Sequence, residues 1–501
     1  MKLIRVCRII LLFISFFQSQ KLQASHICYP WRAAPAIVQS GTSLKILYQN
    51  TRAVGIDSVV LKGPYSSISL LPVSVVFGHF VYDTYSGTAA NNQIVIEIPR
   101  PSVVDLYDLL VYSGGETHLS PKSVKIIDQF DKSHRFLHIS DPHVSRQWVG
   151  TQKSGYAKEL ELLDRFVSVA NILAPDFVIV TGDLIHDYTR LDADELGWGG
   201  NVLRNKEDSP TVEEKYRNYY EGAAGFRGIQ GIEAPVFSTT GNHDFYGVAA
   251  NDHKGKVSQW NAICGKRVHG FSYAGTRVLI VDDYLGDPVI DIPDHAPLSG
   301  LQGKVLTDFI KQEGPGHLRI LAQHRPDRID TAFCNQHSIG LLLNGHNHRP
   351  FQEYIANTPT LSMRPGSISR SGSISEWEEV LGFFRIVDVN GACFTASDAL
   401  RFCADPTVPA EEMVLNLTLD FDKLNDGSND SNKARIVNNF PVDLPKCKVR
   451  FVMQKGVYRV SSGHIEQVIE TERSTIIDVR VDVYSKSTQE VEISAVRDDN
   501  Q

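Results

Sequence analysis

The chain has no Cys-x-x-Cys pair, no excess of basic residues and, beyond its N-terminus, no apolar run long enough to cross a bilayer. The first absence argues against a zinc ribbon or a thioredoxin-like redox site, which need closely spaced thiols. The second disfavours a general binder of nucleic acid or anionic membrane. Lys and Arg number 50 against 58 Asp and Glu, a formal net charge of −8, whereas such binders are basic. The third leaves no transmembrane segment expected in the body of the chain. What remains is ordinary for a folded soluble protein, with 42% hydrophobic and 22% charged residues. At 501 residues the chain exceeds one ordinary core, so about two to four domains are expected.

The N-terminus is the exception. Lys2, Arg5 and Arg8 precede the apolar run Ile9–Phe17, and Leu22-Gln23-Ala24 is a tolerable cleavage site. This reads as a signal peptide rather than a membrane anchor, because the run is too short to span a bilayer. No Cys follows the cleavage site directly, so no lipoprotein anchor is expected. Cleavage would remove Lys2, Arg5, Arg8 and Lys21 and take the net charge from −8 to −12. The expected location is secreted or periplasmic. Cys7 would leave with the peptide, and Cys28, Cys264, Cys334, Cys393, Cys403 and Cys447 would remain, an even number in an oxidising compartment. Disulfides and six free thiols both stay open, since sequence does not choose among about fifteen complete pairings.

The divisions expected along the chain are residues 1–24 as signal peptide, 25–131 as an N-terminal β-sandwich module, 132–400 as the central domain and 401–501 as a C-terminal β module. In the first module, Ser43–Tyr48, Ser58–Lys62, Gln93–Ile98, Asp105–Tyr112 and Ser123–Ile127 read as strands punctuated by Gly63-Pro64, Ser86-Gly87 and Gly114-Gly115. In the last, Asn425–Asn432 reads as a polar linker or loop. Val449–Met453, Val457–Val460, Ile465–Ile469, Ile476–Val483 and Glu490–Ile493 read as strands. No repeat relates the two modules.

In the central domain, Leu160, Leu163, Val167 and Ala170 predict an amphipathic helix over Tyr156–Leu173. A second helix is expected at Thr211–Gly222, and a third after Ser299, with Gln302 completing a capping box and Leu301, Val305 and Phe309 facing inward. Leu361–Ile368 and Gly382–Asp388 are expected to close a second sheet. The long segment Tyr188–Ile232 is expected to wall a substrate pocket, while Tyr216, Tyr219 and Tyr220, each taken singly, are expected to cover a small satellite core.

Five apolar runs in this domain each end in residues able to bind a metal. Asp141-Pro142-His143 follows Phe136–Ile139, and Gly182-Asp183 follows Phe177–Val180. Gly241-Asn242-His243-Asp244 follows Val236–Thr239, His324 follows Leu318–Ala322, and Gly345-His346-Asn347-His348 follows Ile339–Leu343. Continuous apolar runs of this length suit strands buried on both faces, and open α/β sheets bind ligands at strand carboxyl ends. The clusters therefore converge on one rim. Asp141, His143, Asp183, Asn242, His324, His346 and His348 offer carboxylate, imidazole and amide donors that suit Mn, Fe or Zn. Seven donors exceed one tetrahedral site and fit two divalent ions roughly 3.5–4 Å apart with a bridging carboxylate.

The ordered set D-x-H, G-D, G-N-H-D, H, G-H-x-H resembles the calcineurin-like metallophosphoesterases, from about Phe136 to Phe384. The resemblance implies an α/β fold, a metallophosphoesterase-type β-sheet sandwich flanked by helices, here between N-terminal and C-terminal all-β modules. It implies that Asp141, His143 and His348 hold one ion, that Asn242, His324 and His346 hold the other, and that Asp183 bridges them. It further implies hydrolysis of phosphate mono- or diesters by a hydroxide activated by the two metals. His243 would protonate the leaving oxygen or stabilise the transition-state charge, and Asp244 would either orient His243 or cap a helix or turn. The glycine and tyrosine that purple acid phosphatases carry are replaced by His143 and His186, which argues against a tyrosine-ligated ferric centre. The partner is then a phosphoester substrate, with no nucleic-acid binding expected from charge. The reading from a different class is a catalytically inactive secreted protein that binds phospho-ligands or partners on the same scaffold.

Overall fold

The fold is given by a computed structural model. It describes residues 25–51, 55–83, 88–144, 155–185, 212–245, 253–283, 298, 300–314, 316–369, 381–408 and 410–496. The signal-peptide expectation, Ser299, His186 and residues 188–211 lie outside the described residues.

Nine strands build the N-terminal region: β1 (His26–Tyr29), β2 (Ala36–Gln39), β3 (Ser43–Gln49), β4 (Ile56–Lys62), β5 (Ser67–Leu70), β6 (Ser74–Asp83), β7 (Thr88–Glu97), β8 (Leu106–Ser113) and β9 (Glu116–Ile127). They form a four-stranded sheet β1-β3-β7-β6 and a five-stranded sheet β2-β9-β8-β4-β5. Alternation does the packing: Leu44, Ile46 and Tyr48 of β3 point inward against Leu109 and Val111 of β8, while Ser43 and Lys45 face solvent.

The central domain begins with β10 (Ser133–Ile139), α1 (Gly155–Leu173), β11 (Phe177–Thr181) and α2 (Val212–Glu221). The hairpin β12 (Gly222–Ala223) and β13 (Phe226–Arg227) follows, then β14 (Val236–Thr239), α3 (His253–Ile263), β15 (His269–Tyr273) and β16 (Thr276–Ile280). Next come α4 (Leu301–Glu313), β17 (Leu318–Ala322), α5 (Thr331–Gln336), β18 (Leu341–Leu343), β19 (Phe351–Tyr354) and β20 (Leu361–Arg364). The domain ends with β21 (Phe383–Asn390), β22 (Cys393–Ala396) and β23 (Leu400–Arg401). One sheet runs β14-β11-β10-β21-β22, with β23 on β21, and the other runs β15-β16-β17-β18-β20-β19. Period-two alternation explains why their strands read as unbroken apolar runs. Phe136, Phe177 and Ile179 fill the space between the two sheets, while Leu137, Val178 and Val180 face the helix layer. In the second sheet Ile320 and Leu341 enter the same intersheet core, and Leu321 and Leu342 face α4 and α5. The strands β10, β11 and β14 are mutually parallel, as are β16, β17, β18 and β20, so their carboxyl ends meet at one rim.

Several expectations are corrected here. Gly382–Asp388 belongs to β21 of the first sheet, antiparallel to β10, where Arg135 lies opposite Asp388 and pairs with it at 2.8 Å. The helix α4 has Gly300 at its N-cap without a side-chain cap; Gln302, Leu306 and Ile310 are buried, and Val305 and Phe309 are partly buried against the same core as expected. Gln302 turns inward because its amide pairs with both backbone groups of Asp282, at 2.7 and 2.9 Å. Tyr216, Tyr219 and Tyr220 of α2 are buried in the helix-layer core, as expected of each aromatic taken singly. Their rings carry too much apolar area to stay at a wet rim when a core is within reach. Among the described residues, Cys28, Cys264, Cys334 and Cys447 are buried thiols and Cys393 is an exposed one, where the sequence had left disulfides and thiols both open.

The last seven strands are β24 (Leu417–Phe421), β25 (Ser431–Asn438), β26 (Leu444–Met453), β27 (Tyr458–Val460), β28 (His464–Glu470), β29 (Thr475–Val483) and β30 (Ser487–Ala495), in sheets β24-β25-β30-β27 and β26-β29-β28. Asn425–Asp430 is a hairpin loop leading into β25, not a linker, pinned by Asn425 to the backbone of Arg450 and Val452 on β26. Phe451 and Val449 of β26 share one continuous core with Leu163 and Val167 of α1. A charged junction ties all three regions together. Arg450 grips Asp478 with two bonds of 2.7 and 2.8 Å, approaches Asp105 at 3.8 Å and Glu233 at 3.5 Å, and lies over the Tyr65 ring. Lys448 also pairs with Glu233. Gln467 completes the contact by bonding both backbone groups of Val104.

Replacing Arg450 with Met would strand these carboxylates, so the protein should lose about 3 kcal/mol of stability in denaturant titration. A loss below about 0.5 kcal/mol would mean the junction behaves as a solvated surface pair. The same junction sets an acid limb. Burial pushes the Glu233 carboxyl up, but Lys448 and Arg450 outweigh it and bring it from 4.5 down to about 2. A depressed carboxyl stabilises fully above its unfolded value and loses that contribution as pH falls through the folded one. Glu233→Gln should therefore flatten the fall in melting temperature between pH 4.5 and about 2, and an unchanged acid limb would contradict this.

Candidate metal centre

Every residue expected at the rim is there. Asp141 and His143 follow β10, Asp183 follows β11, Asn242 and His243 follow β14, His324 follows β17, and His346 and His348 follow β18. The chain must turn sharply at each strand end to aim these side chains inward. Asp141, His143, Asp183, His346 and His348 all adopt left-handed backbone, with φ from 48° to 72°. Such residues are costly outside glycine and concentrate at functional sites. Two glycines provide the close approach. A Cβ on Gly345 would lie 1.8 Å from Ser140 Oγ and 2.7 Å from Asp141 Oδ2, and one on Gly241 would lie 2.3 Å from Asp183 Oδ1.

The donors fall into two groups that share one carboxylate. Asp141, His143, Asp183 and His348 form the first; Asp183, His324 and His346 form the second, all with donor atoms within 4.8 Å of one another. In the first group His143 Nε2 lies 3.2 Å from His348 Nε2 and 3.5 Å from both Asp141 Oδ1 and Asp183 Oδ2. In the second, His324 Nε2 is 3.1 Å from Asp183 Oδ2 and 3.1 Å from Asn242 Oδ1, and His346 Nδ1 is 3.0 Å from that same amide oxygen. Donors held at about 2.0–2.2 Å around one ion stand roughly 3 Å apart, so the spacing fits a metal in each group. His324 Nδ1 lies 2.7 Å from the carbonyl of Thr181. Donating there leaves Nε2 to face the carboxylate and amide, as metal-bound imidazoles are oriented.

A family model for calcineurin-like phosphoesterases matches residues 134–350. The chain carries a calcineurin-like phosphoesterase domain. Solved structures similar to it include a conserved uncharacterised protein, a predicted phosphoesterase, from Streptococcus pneumoniae, at 15% identity over 54% of this chain and 90% of that one, with a TM-score of 0.23. GAP50, described as the anchor in the inner membrane complex of Plasmodium, shares 10% identity over 54% and 89%, with a TM-score of 0.30. Vps29 of Entamoeba histolytica in complex with zinc shares 12% over 52% and 89%, with a TM-score of 0.22. No protein of curated function matches the chain.

The electrostatics of the phosphoesterase domain follow from buried carboxylates among imidazoles. Burial pushes the Asp141 carboxyl up, yet His348 and His143 hold it well below the usual range; Asp183 is held low against its burial by His324 and His243. Burial opposes charge on His324, but Asp183 and Asp141 raise it to about 10. Burial and the neighbouring His324 bring His346 down to about 4. Protons on imidazole thus supply positive charge that divalent cations would supply to the same atoms.

Asp244 makes the bonds of a turn cap, one of the two roles open to it. Its Oδ2 accepts from Gly241 N–H at 2.8 Å, and its Oδ1 accepts from Leu184 and Ile185 N–H and from Tyr216 Oη. It therefore ties the turn carrying Asn242 to the turn carrying Asp183. His243 donates its backbone N–H to Asp183 Oδ1 at 2.8 Å, and its ring stands edge-on to His143 at 4.8 Å between centroids. Arg325 pairs with Asp327 through two bonds of 2.7 and 3.0 Å. His138 bonds Thr181 Oγ1 inside the sheet, a structural role. Sequence reading missed Thr181, which ends the strand before Gly182-Asp183. It also missed Ser367, whose hydroxyl donates to the Asp141 carbonyl at 2.9 Å and which no spacing in the chain marks.

Gly241→Ala would drive a methyl into Asp183 Oδ1. The variant should bind less metal by elemental analysis while keeping its circular dichroism. Wild-type metal content would show that the close packing at Gly241 does not set the position of Asp183.

Proposed function

We propose that this chain is an exported, metal-dependent hydrolase of phosphate mono- or diesters. The observation that carries the reading is the pair of donor groups joined by Asp183, at the strand ends of the phosphoesterase domain. Two divalent cations, of Mn, Fe or Zn, would supply positive charge to phosphoryl oxygens and lower the pKa of water. In this reading Asp141, His143 and His348 bind one cation, Asn242, His324 and His346 bind the other, and Asp183 touches both. The left-handed turns and the Thr181 carbonyl keep the donors aimed, so little reorganisation is needed when substrate arrives. His243 is buried at the rim, and its role is to hold the proton given to the leaving oxygen. The basic n-region, apolar run and Ala24 at the N-terminus support export.

Activity on nitrophenyl mono- and diesters should vanish with chelator and return with Mn. Asp183→Asn should lose most, since it touches both donor groups. Full hydrolysis by metal-free protein would sink the mechanism. Metal bound in both groups without hydrolysis of any ester would favour the ligand-binding reading instead.

His243→Ala should keep its metal content and lose about 10²-fold or more in turnover on esters with poor leaving groups. The loss should shrink when the leaving group is good. Loss of a metal in this variant would make His243 a ligand and not an acid.

A further inference from the structure

The N-terminal sandwich has one side built without charge. β5 and β6 are edge strands of its two sheets, and residues 71–73 alone connect them, so both edges lie on the same side. From Gly63 to Tyr82 the chain contains no Asp, Glu, Lys or Arg, although 22% of the whole chain is charged. Natural sheets protect exposed edges with lysines, prolines within the strand or inward-pointing charges. Here β6 reads Ser-Val-Val-Phe-Gly-His-Phe-Val-Tyr-Asp, with its one formal charge at the last position. Leu71, Val73, Phe77, Val76 and Val81 are 78%, 60%, 65%, 46% and 43% exposed. Among the described residues, no strand pairs with the outer edge of β6. Its register against β7 is regular from Ser74 to Phe77 and breaks before Phe80, so the usable edge is centred on Val73–Phe77.

The occupant must satisfy two demands at once. It must cover aliphatic and aromatic side chains, and it must bond the outward backbone N–H and C=O groups of an edge strand. A lipid surface meets the first demand and not the second, because hydrocarbon leaves backbone groups unpaired. Another strand meets both. Antiparallel pairing across a two-fold axis sets the same uncharged segment against itself, so no like charges meet. We propose that β6 is a dimerisation edge, at which a second copy of this chain pairs its own β6 antiparallel and joins the two four-stranded sheets into one.

The test uses the full chain in sedimentation equilibrium, with amide hydrogen exchange read at Ser74–Phe77. Wild-type protein should be dimeric at micromolar concentration, with amides in this stretch protected. Phe77→Lys changes an exposed side chain and places like charges near the axis. It should raise the dissociation constant by about tenfold or more and expose those amides, while the circular dichroism spectrum stays that of the wild type. Val457→Lys, at an equally open position elsewhere, should leave the dimer intact. A wild-type monomer overturns the proposal, including one that binds phosphatidylcholine vesicles through this segment. So does a dimer that survives Phe77→Lys, or one whose Ser74–Phe77 amides exchange freely.

Discussion

The placement of Asp183 governs this molecule. Its carboxylate is buried between two sets of imidazoles, belongs to both donor groups and lies within reach of a Cβ that Gly241 does not have. A buried carboxylate is stable only with positive charge or hydrogen bonds around it. The chain offers one backbone N–H, from His243, and nitrogens from His143 and His324. Those nitrogens carry the charge as protons or hand their lone pairs to a cation. The donor geometry and the acid–base behaviour of the rim are two consequences of that one requirement.

The sheets exist to bring such groups together. Each strand divides its side chains between the intersheet core and a helix-side core, which makes the strands rigid and leaves only their ends free to vary. The left-handed turns after β10, β11 and β18 store strain that this packing can hold. Asp244 adds a cross-brace, since one carboxylate bonds the turns of both Asp183 and Asn242. The Arg450 junction then fixes the C-terminal strands to Glu233, three residues before β14.

The ligand strands were legible in the sequence because burial on both faces leaves unbroken apolar runs and because ligands must follow them. The strands Val236–Thr239 and Leu318–Ala322 fall where the runs lie. Features decided by contacts far along the chain were not legible. The place of β21 beside β10 is a pairing between residues about 250 apart, from Ser133 opposite Asn390 to His138 opposite Arg385. The inward turn of Gln302 depends on Asp282, whose backbone its amide meets. For Asp244 the sequence left two roles open, because its oxygens reach back to Gly241 and across to Leu184, a contact from another strand end. The free thiols could not be decided from an even count alone.

The most direct test follows metal loading and hydrolysis in one titration. Demetallated protein is titrated with Mn while its electron paramagnetic resonance and its hydrolysis of a nitrophenyl ester are recorded together. Two donor groups sharing Asp183 predict a spin-coupled signal that grows with the second equivalent, with activity rising in step, and loss of the coupling in Asp183→Asn. Uncoupled Mn at full occupancy, or activity complete before any Mn is added, would contradict the account.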